Sequence, residues 1–317
     1  MIRRIVTGVV FTLAVALLLL PGFRWPLAPV VLFVASAVVC VLELTAALEA
    51  KGLKPSRPVA VIGSFGVLMP LIPLLFHEAP QWRLVAAGGL DTPMLLDWAS
   101  RMTMLLSEGL AVTAFLMLVL AMMLILSTVL AHGPGSLIDG VATTAMVGYV
   151  AFPLSCSILV LYAVPDGFLW MLAAPIASWI TDVFAYFAGS LFGRNKLVPN
   201  ISPKKTIEGA LGGLLGCMFV MALFFWLFVG KGWPVVVTAR ANLLFGLALG
   251  LVCGATAQFG DWLASAIKRY CGVKDFGNVL PGHGGVLDRF DSVLFTAPIM
   301  LLASLLYYLV RPFAGLG

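Results

Sequence analysis

Residues 265–292 read SAIKRYCGVKDFGNVLPGHGGVLDRFDS and hold four cations (Lys268, Arg269, Lys274, Arg289), three acids (Asp275, Asp288, Asp291) and His283. The chain around them is 62% hydrophobic and 10% charged, so a charge cluster of this density calls for a partner. Just upstream, GDWLASAIKR places Asp261, Ser265 and Lys268 at i, i+4 and i+7, which is one face of a helix. Asp288 and Asp291 lie three apart and share a face of the next helix. An ionised Asp near the end of an apolar span is costly unless it faces a cavity or a partner. Two carboxylates from one helix and a third from its neighbour are hard oxygen donors suited to a cation such as Mg²⁺. Between the two helices lies PGHGG (281–285), whose glycines allow backbone N–H groups to turn toward an anion. The same five residues also fit a tight re-entry turn followed by a capping Asp. The acids and cations around them favour the anion, and specifically a metal-bound polyphosphate.

A second group is SPKKTIEGALGG, residues 202–213. Ser202 and Pro203 make a good N-cap and N1 pair, so a helix is expected to begin there. Lys204 and Lys205 then fall in its first turn, where the helix dipole disfavours cations unless an anion sits at the helix start. Lysines reaching for lipid headgroups would look the same. Gly209, Gly212 and Gly216 read as helix-packing positions, because small residues let membrane helices approach closely. Asp182, within WITDVFAYFAGSLFG, is an acid at membrane depth and therefore a functional candidate, or the partner of a lysine in the following loop. Glu43 and Glu108 lie in or near apolar runs and are assigned structural or interfacial roles. His77 and His132 sit at span ends without a second ligand nearby.

The elements that must position these groups are membrane helices. Mean hydropathy is +1.08, and apolar runs of about 20 residues, enough to cross a hydrocarbon core, recur along the chain. Nine spans are expected, at roughly 5–22, 27–48, 58–77, 104–131, 139–163, 168–191, 206–230, 243–266 and 293–310. Alternating ten-residue strands do not occur, so the class is all-α and polytopic. The apolar run after Arg3 and Arg4 is followed by PGFRW rather than a cleavage site and is read as a retained helix. An N-in, C-out arrangement puts 13 of the 19 Lys and Arg residues on the cytosolic side, together with both charged groups. The longest outer loop is expected at 78–103, with Trp82 and Trp98 at the interface. The net charge of +5 belongs to loops facing anionic lipid and not to nucleic-acid binding. The five scattered cysteines suggest neither disulfides nor zinc. One membrane domain, 1–317, is expected, with 1–165 as scaffold and 166–317 as the part carrying chemistry.

The second half resembles the phosphatidate cytidylyltransferases (CDP-diacylglycerol synthases). Their signature runs S-x-x-K-R, four residues, K-D, then Pro or Gly, H-G-G and D-R-x-D. Ser265, Lys268, Arg269, Lys274, Asp275, Pro281, His283, Gly284, Gly285, Asp288, Arg289 and Asp291 fall at the matching places. The NKLVPNISPKKTIEGALGG segment is similar to the family's upstream block, and the resemblance covers roughly 179–292. Two positions depart from the pattern. Val183 and Phe184 follow Asp182 where D-T-G-A-Y is usual, and Ala264 precedes Ser265 where many members carry Glu.

The resemblance implies CTP plus phosphatidic acid giving CDP-diacylglycerol and pyrophosphate, with Mg²⁺ and a second cation whose identity is open. It implies Asp261 and Asp288 as the primary metal ligands, with Asp291 close by. Lys204, Lys205, Lys268, Arg269, Lys274 and Arg289 would hold phosphates, and His283 would donate to one. Ser202, Thr206, Ser265, Asp275, Gly284, Gly285 and Asp182 complete the expected substrate site. No Ser–His or Cys–His pair is present, so direct displacement is expected. The resemblance also implies a homodimer, the short N-terminus without organelle-targeting features points to a bacterial cell membrane, and the Lys and Arg count puts the site on the cytoplasmic side. The rival readings are a CTP-dependent lipid kinase, an ether-lipid cytidylyltransferase and, from another class, a transporter. A transporter would carry its charges at mid-bilayer on broken helices.

Overall fold

In hydrocarbon the backbone can bond only to itself, so apolar runs of span length become helices. The computed structural model describes residues 13, 15–23, 25, 27–71, 92–164, 166–199, 201–229, 239–280, 282 and 284–314. In chain order the helices are α1 (Leu27–Ala50), α2 (Arg57–Ser64), α3 (Thr92–His132), α4 (Leu137–Ala163) and α5 (Gly167–Phe192). A two-stranded antiparallel hairpin follows, β1 (Lys196–Val198) and β2 (Ser202–Thr206). Then come α6 (Ile207–Phe228), α7 (Ala239–Cys271), the single turn α8 (Leu287–Phe290) and α9 (Val293–Ala314).

Seven helices among the described residues are long and apolar enough to cross a membrane, and they coincide with seven of the nine expected spans. The expected first span lies largely outside the described residues. The expected third is α-helical only through Ser64 and tightens into a 3₁₀ turn over Phe65–Leu71. The outer loop expected at 78–103 is helical from Thr92 onward, while 78–91, and His77 before it, lie outside the described residues.

The helices of the second half pack by close backbone approach. A Cβ added at Gly213 would stand 2.9 Å from the Thr181 carbonyl oxygen of α5, and one at Gly250 would stand 2.6 Å from the Met218 Cα of α6. Gly209, Gly212 and Gly216 meet α5 in the same way, as expected from their sequence. Replacing Gly250 by Val should therefore push α6 and α7 apart and cost about 1–3 kcal/mol, the usual range for overpacking. A lowered thermal midpoint in detergent would register it. At one end of the bundle Trp170 is fully buried and meets Phe225, Phe245, Tyr307 and Tyr308 edge-on. All five cysteines are buried and free.

The opposite end gathers the C-termini of α1, α5 and α7 with the N-termini of α4, α6 and α9. Lys54 N–H donates to Asp139 (3.0 Å), Lys51 lies 4.8 Å from the centre of the Tyr270 ring, and Arg269 Nε donates to the Ile201 carbonyl (3.4 Å). Most of the expected cytosolic cations therefore share one end of the bundle.

The hairpin corrects one expectation. The protein is all-α apart from this short sheet, and Ser202 and Pro203 do not start a helix. They open β2, whose register pairs Val198 with Ser202 and Lys196 with Thr206. The true N-cap is Thr206, whose hydroxyl accepts from Gly209 N–H at 3.1 Å. Glu208, in the first turn, accepts from the N–H groups of Arg194 and Asn195 and ties down the hairpin's base.

Candidate active site

Strand geometry decides where the two lysines of β2 go, because successive side chains point to opposite faces. Lys204 is exposed, whereas Lys205 is half-buried and pairs with Asp261 of α7. In a first helical turn both would have projected past the helix start. Lys205 also lies 5.9 Å from the centre of the Trp262 ring. Ser265, one turn along α7, donates to the other Asp261 oxygen at 3.3 Å. The expected stacking of Asp261, Ser265 and Lys268 is thus present, with Lys268 about 10 Å further along the helix axis.

Lys268 makes the second ion pair, with Asp288 Oδ1 at 2.6 Å, beside the Phe276 ring. The other Asp288 oxygen accepts from the Phe276 and Gly285 N–H groups at 3.0 and 2.9 Å. Both Asp288 oxygens are thus engaged: its side chain is 7% exposed, and its donors among the described residues come from the signature segment and α7. Gly284, at φ +82°, makes the turn that allows this, and a Cβ there would stand 2.8 Å from Asp288 Oδ2. Gly285 presents its N–H to the same oxygen. The glycines thus cradle a carboxylate of their own chain.

Asp291 is buried at the start of α9 and accepts from the Ser292 N–H at 2.7 Å. Gly260 packs on it, since a Cβ there would meet the Asp291 carbonyl oxygen at 2.7 Å. This contact sets Asp261 beside the entry to α9. The Arg289 carbonyl accepts from Trp179 at 3.4 Å, while Lys274 and Asp275 are exposed on the loop. Pro281 and His283 lie outside the described residues.

A cavity of about 430 Å³ opens between α5, α6, α7 and the hairpin. Asp182, Lys204, Lys205, Asp261 and Trp262 line it, with Tyr186, Ser202, Thr206 and Gln258 around them. Asp182 faces this space, and the lysine of the following loop pairs with Asp261 instead. Phe184 is absent from the lining; its ring packs where a Cβ on Gly216 would come within 2.2 Å. The bulk that departs from the family pattern is therefore spent against α6.

The structure joins the expected residues into two lysine–carboxylate pairs along one face of α7 instead of one three-acid cluster. Among the described residues no three His, Cys, Asp or Glu side chains come together so as to hold a metal ion. The donors still fit Mg²⁺, which takes one or two carboxylates and completes its shell with water and substrate phosphates. Asp261 and Asp288 each already face a cation in the form of a lysine ammonium.

One residue that sequence reasoning set aside is drawn into the site. Glu43 of α1 is buried, and its oxygens accept from the Val286 and Leu287 N–H groups at 2.9 and 2.8 Å. An acid inside an apolar run was the only hint, because its partners lie 243 and 244 residues away.

Comparison with known proteins supplies the family. The model of the cytidylyltransferase family matches residues 2–307. A phosphatidate cytidylyltransferase of Staphylococcus haemolyticus is 33% identical over 260 residues, covering 82% of this chain and 85% of that protein. The one from Staphylococcus saprophyticus is 35% identical over 188 residues, 58% of this chain and 66% of its own length. The Staphylococcus epidermidis protein is 42% identical over 135 residues, 43% of this chain and 48% of its own length. With a family match across nearly its whole length, the chain belongs to the cytidylyltransferase family, a family of nucleotidyltransferases.

Proposed function

We propose that the protein transfers the cytidylyl group of CTP to phosphatidic acid in a Mg²⁺-dependent reaction, forming CDP-diacylglycerol and releasing pyrophosphate. The observation that carries this reading is the placing of two ion pairs, Lys205–Asp261 and Lys268–Asp288, along one face of α7, the first of them in the wall of a cavity at one end of a membrane bundle. That end carries the excess of cations and faces the cytoplasm on the positive-inside argument. A water-soluble nucleotide and a lipid headgroup can meet there.

The reaction joins a phosphate oxygen of the lipid to the α-phosphorus of CTP while the bond from that phosphorus to the bridging oxygen breaks. No proton has to move when the lipid phosphate is fully ionised. Two polyanions must therefore be brought together, and the barrier is mostly one of charge and position. Lys205 at the cavity and Lys268 further along α7, each released from its carboxylate, would hold phosphate oxygens. Lys204, Arg269, Lys274 and Arg289 add positive potential around them. Asp261 and Asp288 would hold the divalent ion, with Asp291 nearby. When bound, the ion neutralises phosphate charge and stabilises the departing pyrophosphate. Asp182 would orient substrate from the cavity wall, and Ser265 keeps Asp261 in place. His283 is assigned as a phosphate donor from its place in the signature. The pairs sit at helix ends on one side of the bundle, which favours an enzyme over a transporter.

The test is mass spectrometry of the lipid product from labelled CTP, phosphatidic acid and Mg²⁺ in mixed micelles. A liponucleotide carrying the cytidine label is expected, with none formed in excess chelator. A phosphorylated lipid without cytidine would identify a CTP-dependent kinase instead.

A further inference from the structure

A buried carboxylate in a membrane helix needs donors, and among the described residues Glu43 finds them in the signature segment. Its two oxygens accept from consecutive N–H groups, Val286 and Leu287, at the start of α8. Those amides have no intrahelical partner, and the helix has no cap from its own side chains. Two glycines make room for the carboxylate. A Cβ on Gly277 would stand 2.4 Å from Glu43 Oε1, and one on Gly285 would stand 2.5 Å from both oxygens. Glu43 therefore touches the backbone on both strands of the loop that runs from Phe276 to Leu287. The same loop supplies Asp288 with its two N–H donors, one of them from Gly285. Gly285 is thus held from one side by Glu43 while its amide aims Asp288 from the other.

We propose that Glu43 is a positioning residue: from the N-terminal half of the chain it locks the Gly277 and Gly285–Leu287 backbone and so fixes the orientation of Asp288. The proposal rests on the assignment of Asp288 to the reaction. It makes α1 part of the catalytic apparatus, in place of scaffold alone. It also explains why two glycines flank the carboxylate without either lining the cavity. Partners that orient a ligand typically matter by about 10–100-fold in metal affinity or activity.

The experiment uses full-length protein in detergent, with Mn²⁺ as a spectroscopic probe of the ion site and thermal midpoints to normalise for folded protein. Glu43→Gln keeps the volume but turns a donor toward one of the two amides. It should weaken Mn²⁺ binding about tenfold and lower kcat by about 10–100-fold, with KM for CTP changed far less. Gly285→Ala should show a loss of the same kind, and adding Glu43→Asp, which shortens the acid, should recover at least about tenfold of it, as expected for residues in contact. Folded Glu43→Gln protein with parental Mn²⁺ affinity and kcat would reduce Glu43 to a stability role and overturn the proposal. Failure of Glu43→Asp to recover any of the Gly285→Ala loss would overturn it too. If the parent makes no liponucleotide but binds Mn²⁺, the functional reading fails and the Mn²⁺ titrations still decide the positioning claim. A parent that neither binds Mn²⁺ nor makes product overturns both.

Discussion

Asp288→Asn protein, purified and folded, is expected to turn over at least about 10³-fold more slowly than the parent, equivalent to about 4 kcal/mol of transition-state stabilisation. The amide is close to isosteric and its oxygen can still accept from the Phe276 and Gly285 N–H groups, so the loop keeps its shape. What disappears is the negative charge facing Lys268. A neutral amide neither retains that ammonium nor ligates a divalent ion with comparable strength. The thermal midpoint should fall only modestly, because Lys268 lies near a helix end and can extend its ammonium toward water. The measurement is kcat per folded protein at saturating Mg²⁺, with Mn²⁺ affinity alongside. Retention of more than about a tenth of parental turnover would remove Asp288 from the chemistry, since a lost transition-state charge contact costs more than that.

How much of this was legible beforehand depends on the range of each interaction. Seven helices could be read because each apolar run satisfies a local length requirement. The i, i+4, i+7 face of Asp261, Ser265 and Lys268 was equally local, and it appears as a hydrogen bond and an ion pair on one side of α7. The hairpin was not legible. Its strands have three and five residues, and Ser202 before Pro203 imitates a helix start that the pairing with β1 overrides. The third expected span looked continuous in hydropathy, yet it changes to 3₁₀ geometry at Phe65, a distinction that composition does not carry. Glu43 lay beyond local reasoning altogether, because its partners come from the far end of the chain.

The hairpin also changes what the basic residues mean. A helix start would have used Lys204 and Lys205 together as an anion-binding pair. The strand splits them into an exposed lysine and one that locks onto Asp261. Both candidate metal carboxylates are thereby neutralised by lysines before any substrate arrives. With Asp261 and Asp288 holding a divalent ion, Lys205 would be available to a phosphate at the cavity and Lys268 further along α7. This coupling implies that the members of each pair act as a unit.

The Lys205–Asp261 pair therefore supplies the second large effect. Asp261→Asn should lower kcat by about 10³-fold, the upper end of the range of about 10²–10³ for removing one preorganised group, and Lys205→Met by less, about 10–100-fold. If the residues worked independently, the double variant would lose the product of the two factors, about 10⁴–10⁵. The geometry argues for less. Lys205 is carried on a short strand and held over Trp262 by Asp261, so without the carboxylate it has no fixed position from which to grip a phosphate. Conversely, with Lys205 gone, Asp261 keeps only the Ser265 hydroxyl among its described partners and can still hold an ion, which makes the lysine variant the milder one. The double variant should consequently be within a few-fold of Asp261→Asn alone, as is common for residues acting as a unit. Steady-state kinetics with CTP and phosphatidic acid varied separately would measure this. Full multiplicativity would assign lysine and carboxylate to separate tasks and break the link between ion binding and phosphate binding at this pair.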